Sequence, residues 1–530
     1  MGFPSRDELR EEVIKELNYV GVDAGSVEAL SVHGASIKKS PSIILVITHM
    51  VRRFKLVKRG PGLAILADEE SALRDASDEE FGGIIAHGFL LPYNPIINEK
   101  LLEDLERRYK RHVVVESLQN LILEHKLASS RLIIKPEYFL YDKLRRLTAI
   151  YPPSRRFVRE MLRGSRDDVT KVLDGFLKAI KDLVDRGILE ERHGGYSPTD
   201  RFVHEVLSKK KVYDRFSDEL EHLLKLYLTA STASPLDTIK NVRFDLDILM
   251  PVRVPDPSKM LYMETSIGPQ PLTTSREIRD FISETYGVRS IDVRLRKIGG
   301  VFNSTYFASF EIDGREERVF VKKYLNWTDF KWVAAWLWAI GVKNFSVLAS
   351  SRMSNEIYFI NKLSELGFNT AEILHINWPK KTIFQRFIDG ADGLKALKNA
   401  DEPRTFDDIS YRMGKILAMV HGKGVCIGDC NPFTFIFADD EAYLVDLEQC
   451  SFKGSKPWDL CELLFYTSHY LNSEDAERFS KNVVQGYLEV GERDVVKAAL
   501  DQRFTRIFIP WTPPWIQSRI RRAVTEILES

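Results

Sequence analysis

One stretch limits what this chain can become more than any other: IGDCNPFTFIFADDEAYLVDLEQ, Ile427 to Gln449. Asp429 follows a glycine in a turn. A short apolar strand, an acidic turn and a second apolar strand then lead to Asp446 at the strand's end. A lone aspartate in a turn is ordinarily a cap. Two of them joined by a β-hairpin are more specific. One carboxylate can take the proton of an acceptor hydroxyl, and the other can hold a metal ion against phosphates.

Such a pair needs a phosphate-binding half upstream, and the sequence offers one. RLRKIGGVFNSTYFASFEIDGREERVFVKKYLNW reads as three strands with two turns. Gly299 and Gly300 fall in the first turn beside Asn303, Ser304 and Thr305, where backbone N–H groups and hydroxyls could meet phosphate. In the third strand Lys322 and Lys323 point to opposite faces. Lys322 is read as the phosphate-binding lysine, with Lys323 as its alternative. NEIYFINKLSELGFNTAEIL is a helix with Ile357, Ile360 and Leu363 inward and Glu356 placed to pair with the strand lysine. TIFQRFIDG is a strand entering a hinge, with Gln385 to Phe387 beside a nucleotide's base. A helix from Asp407 to His421 precedes Asp429. Each feature alone is weak, since glycine pairs make ordinary turns and helix glutamates are usually solvated. Their order along the chain carries the weight.

The stretch from about 285 to 530 resembles the atypical archaeal kinases related to RIO kinases and to the small kinase of the KEOPS complex. The likeness rests on KIGGVFNSTY, FVKKY, the Glu356 helix, IGDCNPFTF, VDLEQ and PWDLCELLFY. It implies a two-lobed protein-kinase-like domain with ATP as cofactor. By the resemblance Lys322 holds the ATP phosphates, Glu356 pairs with it, Asp429 is the catalytic aspartate and Asp446 binds Mg²⁺. Asp459, in PWDL, is implied to brace the catalytic loop. No long activation segment fits between Glu448 and Trp458. The pattern departs at one position: five residues after Asp429, where kinases carry a metal-holding Asn, stands Thr434. A Thr hydroxyl can serve as a Mg²⁺ ligand, and Asn431 could partly substitute, with Mn²⁺ tolerated in a looser site. The acceptor implied is protein Ser/Thr first. A tRNA or ribosomal RNA hydroxyl is the alternative, and a nucleotide-binding scaffold without catalysis is the third reading.

With 530 residues, two to four domains are expected. The fold class read is α+β multidomain. Residues 1–130 read as an α/β domain with a helix over Asp7 to Leu17, the strand SIILVI, and a long helix from Asn98 to Glu124 carrying Leu101, Leu102, Leu105 and Tyr109 inward. It faintly resembles a nucleotidyltransferase through HGAS, but the strand that should bear the metal-binding acids has none. Residues 131–275 read as helical and winged-helix-like. A helix from Val169 to Asp185 presents Val172, Leu173, Phe176, Leu177, Ile180, Leu183 and Val184 on one face. Gly187 is its C-cap and Gly194-Gly195 turns a hairpin. Prolines from Pro235 to Pro269 mark a linker. Residues 276–530 are the kinase-like domain.

From Lys135 to Arg166 nine basic residues face three acidic ones, so Arg145, Arg146, Arg155 and Arg156 are expected to form part of a basic face. Over the whole chain 76 Lys and Arg balance 76 Asp and Glu, which removes any global attraction to nucleic acid, DNA included. The apolar runs, WVAAWLWAI among them, are too short to span a membrane. The amino terminus reads as a charged helix and not a signal peptide. The four cysteines lack zinc-site spacing and fit reduced thiols in the cytoplasm. Trp511 and Trp515, with Arg519, Arg521 and Arg522, are expected to cover a core and decorate its rim.

Overall fold

The computed structural model describes residues 22–34, 43–59, 62–151, 154–209, 250–299, 303–325, 346, 348–400 and 402–530. The helix expected over Asp7 to Leu17, Gly300, the stretch around Pro235 and the aromatic insertion after Leu325 lie outside the described residues. The fold is mixed α and β with several sheets. The chain divides into two compact units, 1–124 with 129–262, and 125–128 with 263–530.

In the first unit, strands β1 (Val27–His33), β2 (Ile43–Thr48), β3 (Phe54–Arg59), β4 (Gly62–Ala67) and β5 (Tyr93–Ile97) form one sheet in the order β3-β4-β2-β1-β5. β2 is the run IILVIT and every residue of it is buried. It lies between β4, parallel, and β1, antiparallel. A strand covered on both faces reads as a continuous apolar run rather than an alternating one. Helix α1 (Glu69–Asp78) follows β4, and α2 (Glu99–His125) follows β5. On α2 Leu102, Leu105 and Tyr109 are fully buried as their spacing requires.

The rest of this unit runs β6 (Leu132–Ile134), α3 (Glu137–Ile150), α4 (Ser154–Leu162), α5 (Arg166–Asp185), β7 (Leu189–Arg192), β8 (Gly195–Pro198) and α6 (Asp200–Lys209). β8 pairs with both β6 and β7. Ser165 and Asp168 close a capping box at the start of α5. Gly187, at φ 67°, ends it, with N–H bonds from Gly187 to Val184 O and from Ile188 to Leu183 O. Val172, Phe176, Ile180 and Leu183 are buried, but Leu177 is 40% exposed and lies off the stripe expected of it.

Part of the expected basic face is paired internally. Arg146 binds Glu116 and Asp142 with only 19% of its side chain open. Lys143 is buried against Glu79 at 2.6 Å and Glu116 at 3.3 Å. Arg155 donates to Thr148 O, and Arg156 pairs with Glu160. Arg145 stays open, 66% exposed and 3.8 Å from Asp256. A sequence count of charges cannot see that acids from elsewhere in the fold meet these cations.

In the second unit, helix α7 (Ile278–Tyr286) precedes β9 (Arg294–Gly299), β10 (Asn303–Ile312) and β11 (Arg315–Tyr324). Helix α8 (Ala349–Glu365), β12 (Asn369–Thr370), β13 (Ile373–Asn377), β14 (Thr382–Arg386) and β15 (Ala391–Asp392) follow. One sheet has the order β9-β10-β11-β14-β13, and its core gathers Phe281, Ile282, Ala308, Phe310, Val319, Val321 and Phe384. Helices α9 (Gly393–Lys398) and α10 (Pro403–Gly422) lead to the hairpin β16 (Phe435–Ala438) and β17 (Glu441–Leu444). Helices α11 (Lys456–Ser468), α12 (Ser473–Leu488), α13 (Arg493–Ala499), α14 (Gln502–Thr505) and α15 (Pro514–Glu529) complete the unit. A strand lysine, a helix and then a hairpin-flanked pair of aspartates thus occur in the order the sequence implied. Among the described residues no helix is long and apolar enough to cross a membrane.

His375 on β13 is fully buried, stacked on Phe281 at 5.1 Å, and neither ring nitrogen has a hydrogen-bond partner among the described residues. Burial lowers its pKa to about 4. The unfolded chain, titrating near 6.5, therefore takes up the proton first, and stability falls as pH drops from about 6.5 towards 4. The full effect is about 3 kcal/mol. Replacing His375 with Phe removes this contribution. The fall in melting temperature between pH 7 and pH 5 should then be smaller than in the wild type, and an equal fall would contradict the assignment.

Candidate active site

The register of the second unit's sheet sorts the glycine-turn and lysine residues by face. In an antiparallel pair, directly opposed residues share a face. Thr305 opposes Lys322 and Asn303 opposes Tyr324, whereas Ser304 opposes Lys323. Lys322 is 4% exposed and Lys323 lies open to solvent. Ser304 thus shares the face of Lys323 and not that of Lys322. Gly299 ends β9, opposed to Thr305.

Lys322 sits among carboxylates. Its Nζ lies 2.5 Å from Glu356 Oε2, 2.5 Å from Asp446 Oδ1 and 3.1 Å from Glu448 Oε2. Carboxylate oxygens of these three acids fall within 4.8 Å of one another. Burial opposes the lysine's charge, but Asp446, Glu356 and Glu448 together hold its pKa well above the ordinary value. Glu356, on α8, is 2% exposed and its pKa is raised by desolvation against the pull of Lys322. It also accepts from Tyr324 OH at 2.5 Å and from Gln385 Nε2 at 3.4 Å. Gln385 therefore lies within β14 with its side chain on Glu356. Phe387, just beyond the strand, packs 6.1 Å from Phe307.

Asp446 follows β17 with φ 58° and ψ 49°, a left-handed conformation uncommon for a residue with a Cβ. Such backbone persists where the surroundings over-determine it. Its side chain is 52% exposed. Its pKa is raised, by desolvation first and then by the charges of Glu448 and Asp429, against Lys322. With half the side chain open, the neighbouring carboxylates are the firmer cause.

Asp429 rests on a loop built around one buried carboxylate. Asp459, near the start of α11 and 0% exposed, accepts from Ile427 N at 2.6 Å, from Gly428 N at 2.8 Å and from His421 Nε2 at 3.1 Å. Trp458 Nε1 donates to Gly428 O, and Glu462 accepts from Cys430 N. Gly428 takes φ 84°, which a residue with a Cβ adopts only at a cost, and that bend presents Asp429 just after it. Asn431 and Thr434 serve the same loop. Asn431 Nδ2 donates to Asp429 Oδ1 at 2.9 Å, and its Oδ1 accepts from Phe433 N at 2.9 Å. Thr434 is 1% exposed. Its hydroxyl donates to Asp429 O at 3.0 Å and accepts from Asn431 N at 3.3 Å.

The sequence reading passed over Glu448, Arg352 and Tyr324, all buried around Lys322. A charged residue within the apolar face of a helix, as Arg352 is, was the signal available for one of them.

No family model matches the chain. Over 94 residues, 17% of its length, it is 28% identical to the probable serine/threonine-protein kinase BUD32 homolog of Archaeoglobus fulgidus. The match spans 48% of that protein, so the chain covers about half of this relative's length. At this identity and coverage the likeness is a distant one, to a kinase.

Asp459→Asn puts an amide in place of an acceptor-only carboxylate facing three hydrogen-bond donors. Breaking a buried network of this kind costs about 2–4 kcal/mol. Chemical denaturation should show that loss in the transition of the second unit. A variant as stable as the wild type would mean that Asp459 does not hold the loop.

Proposed function

We propose that the second unit is an ATP-dependent phosphotransferase that moves the γ-phosphate to a hydroxyl of a macromolecule. One observation carries the reading: a buried strand lysine bound to both a helix glutamate and the aspartate after the hairpin, with a second aspartate on a braced loop. Phosphoryl transfer demands positioning and charge stabilisation more than covalent chemistry. Lys322 supplies a fixed positive charge for the phosphates, and Glu356 and Tyr324 keep it in place. Asp429, oriented by Asn431, accepts the proton of the acceptor hydroxyl. Mg²⁺ commonly binds through one or two carboxylates with phosphate and water, and the half-open carboxylate of Asp446 suits it. When bound, the ion neutralises phosphate charge. Asn431 and Thr434 would have to leave their present partners to join it, so their work in this reading is to shape the loop.

A protein Ser/Thr acceptor is favoured, because three of the upstream cations that would form an RNA platform, Lys143, Arg146 and Arg156, are paired with acids of the fold. The second reading, an RNA hydroxyl, draws on Trp511 and Trp515, which are 44% and 66% exposed and not the core cover expected of them. Exposed aromatics can stack bases.

With γ-labelled ATP and Mg²⁺, the wild type should label itself or a protein mixture more strongly than tRNA. Lys322→Ala and Asp446→Ala should each lose at least about 100-fold, the scale of removing several kcal/mol of charge stabilisation. Full activity in Asp446→Ala would overturn the site. A wild type that binds MgATP and transfers to no acceptor would replace this function with that of a nucleotide-binding scaffold.

Thr434→Val deletes the bond to the Asp429 carbonyl, worth about 1 kcal/mol. Turnover should fall while the Mg²⁺ concentration giving half-maximal rate stays where it was. A large rise in that concentration would show Thr434 to be a metal ligand after all.

A further inference from the structure

The segment after Asp446 is fastened to helix α8 by side chains that the phosphotransfer chemistry does not itself require. Glu448 is 5% exposed and Arg352 is fully buried. Arg352 NH1 donates to Glu448 Oε1 at 3.0 Å and to Asn303 Oδ1 at 2.7 Å. Asn303 Nδ2 returns a bond to Glu448 Oε2 at 2.9 Å, and that same oxygen lies 3.1 Å from Lys322 Nζ. The other amino group of Arg352 donates to Leu325 O, just past the end of β11. Two backbone ties support the arrangement. Asn355 Nδ2 donates to Glu448 O at 3.2 Å, and the Gln449 amide bonds both the N–H and the carbonyl of Ser346.

We infer that Glu448 is a positioning residue that locks three parts of the phosphate site together without any ligand: the first residue of β10, the α8 helix bearing Glu356, and the loop bearing Asp446. The inference rests on the phosphotransferase reading for what the lock is used for, but the lock itself is a statement about the apo protein. Its physical basis is the cost of a lone buried charge. Arg352 is fully buried, so its charge is held against Glu448, and Glu448 in turn meets Lys322. The chain from Glu448 to Trp458 is too short for a long activation segment, and the lock keeps the Lys322–Glu356 pair assembled without one. Glu448→Gln preserves shape and removes charge, which makes it the informative variant.

Two measurements on the full chain test this. The first is amide hydrogen exchange without nucleotide. In Glu448→Gln, residues 349–360 and 303–308 should exchange at least tenfold faster than in the wild type, with the first unit unchanged. The second is MgATP affinity, which should weaken about tenfold in Glu448→Gln. Adding Arg352→Met to that variant should change affinity less than twofold further, because the two residues act as one unit. Unaltered exchange in Glu448→Gln would overturn the proposal, as would losses in the double variant that multiply. Should Glu448→Gln lose α8 altogether, Asn303→Ala removes one spoke and leaves the ion pairs, and the same exchange comparison decides. A wild type that binds no MgATP would sink the phosphotransferase reading, and the exchange comparison would still decide the lock.

Discussion

The arrangement around Lys322 depends on neutralising one buried ammonium. Lys322 is almost wholly withdrawn from water, and a charge so placed survives only with opposite charge beside it. Three carboxylates supply it, each from a different part of the chain: Glu356 from α8, Asp446 from the end of β17 and Glu448 from the turn beyond. Fixing the lysine therefore fixes the helix against the sheet and the loop against both. A buried ion pair is weak evidence for stability, since apolar replacements can be as stable. It is better evidence for a site that must present charge in a set geometry.

A second buried carboxylate repeats the logic around Asp429. Asp459 gathers two backbone N–H groups and a histidine, and the loop so held carries Asp429. Asn431 and Thr434 then spend their polar groups within the loop. Rigid support beneath a small number of reactive groups is how a site keeps its geometry.

The sequence made much of this legible. Strand alternation separated Lys322 from Lys323, whereas Glu356 and Asp459 were singled out by the resemblance to atypical kinases. The first is a local pattern whose periodicity survives in one dimension. What escaped was set by partners distant in sequence. Ser304 could be assigned a face only once the β10–β11 register was known. Glu448 was given no role in the sequence, because its partner Arg352 lies 96 positions away. The basic run from Lys135 to Arg166 looked free because Glu79 and Glu116 lie well upstream.

The charges around Lys322 make a direct demand on the ligand proposed for it. Two cations, Lys322 and Arg352, face three carboxylates, so a bare polyphosphate brought to Lys322 meets net repulsion. Calorimetric titration of the full chain with ATP, with and without Mg²⁺, tests the central claim most directly. Binding should be saturable and one-to-one with Mg²⁺, at least tenfold weaker without it and lost in Lys322→Ala. Failure of the wild type to bind MgATP, or equal binding by Lys322→Ala, would contradict it.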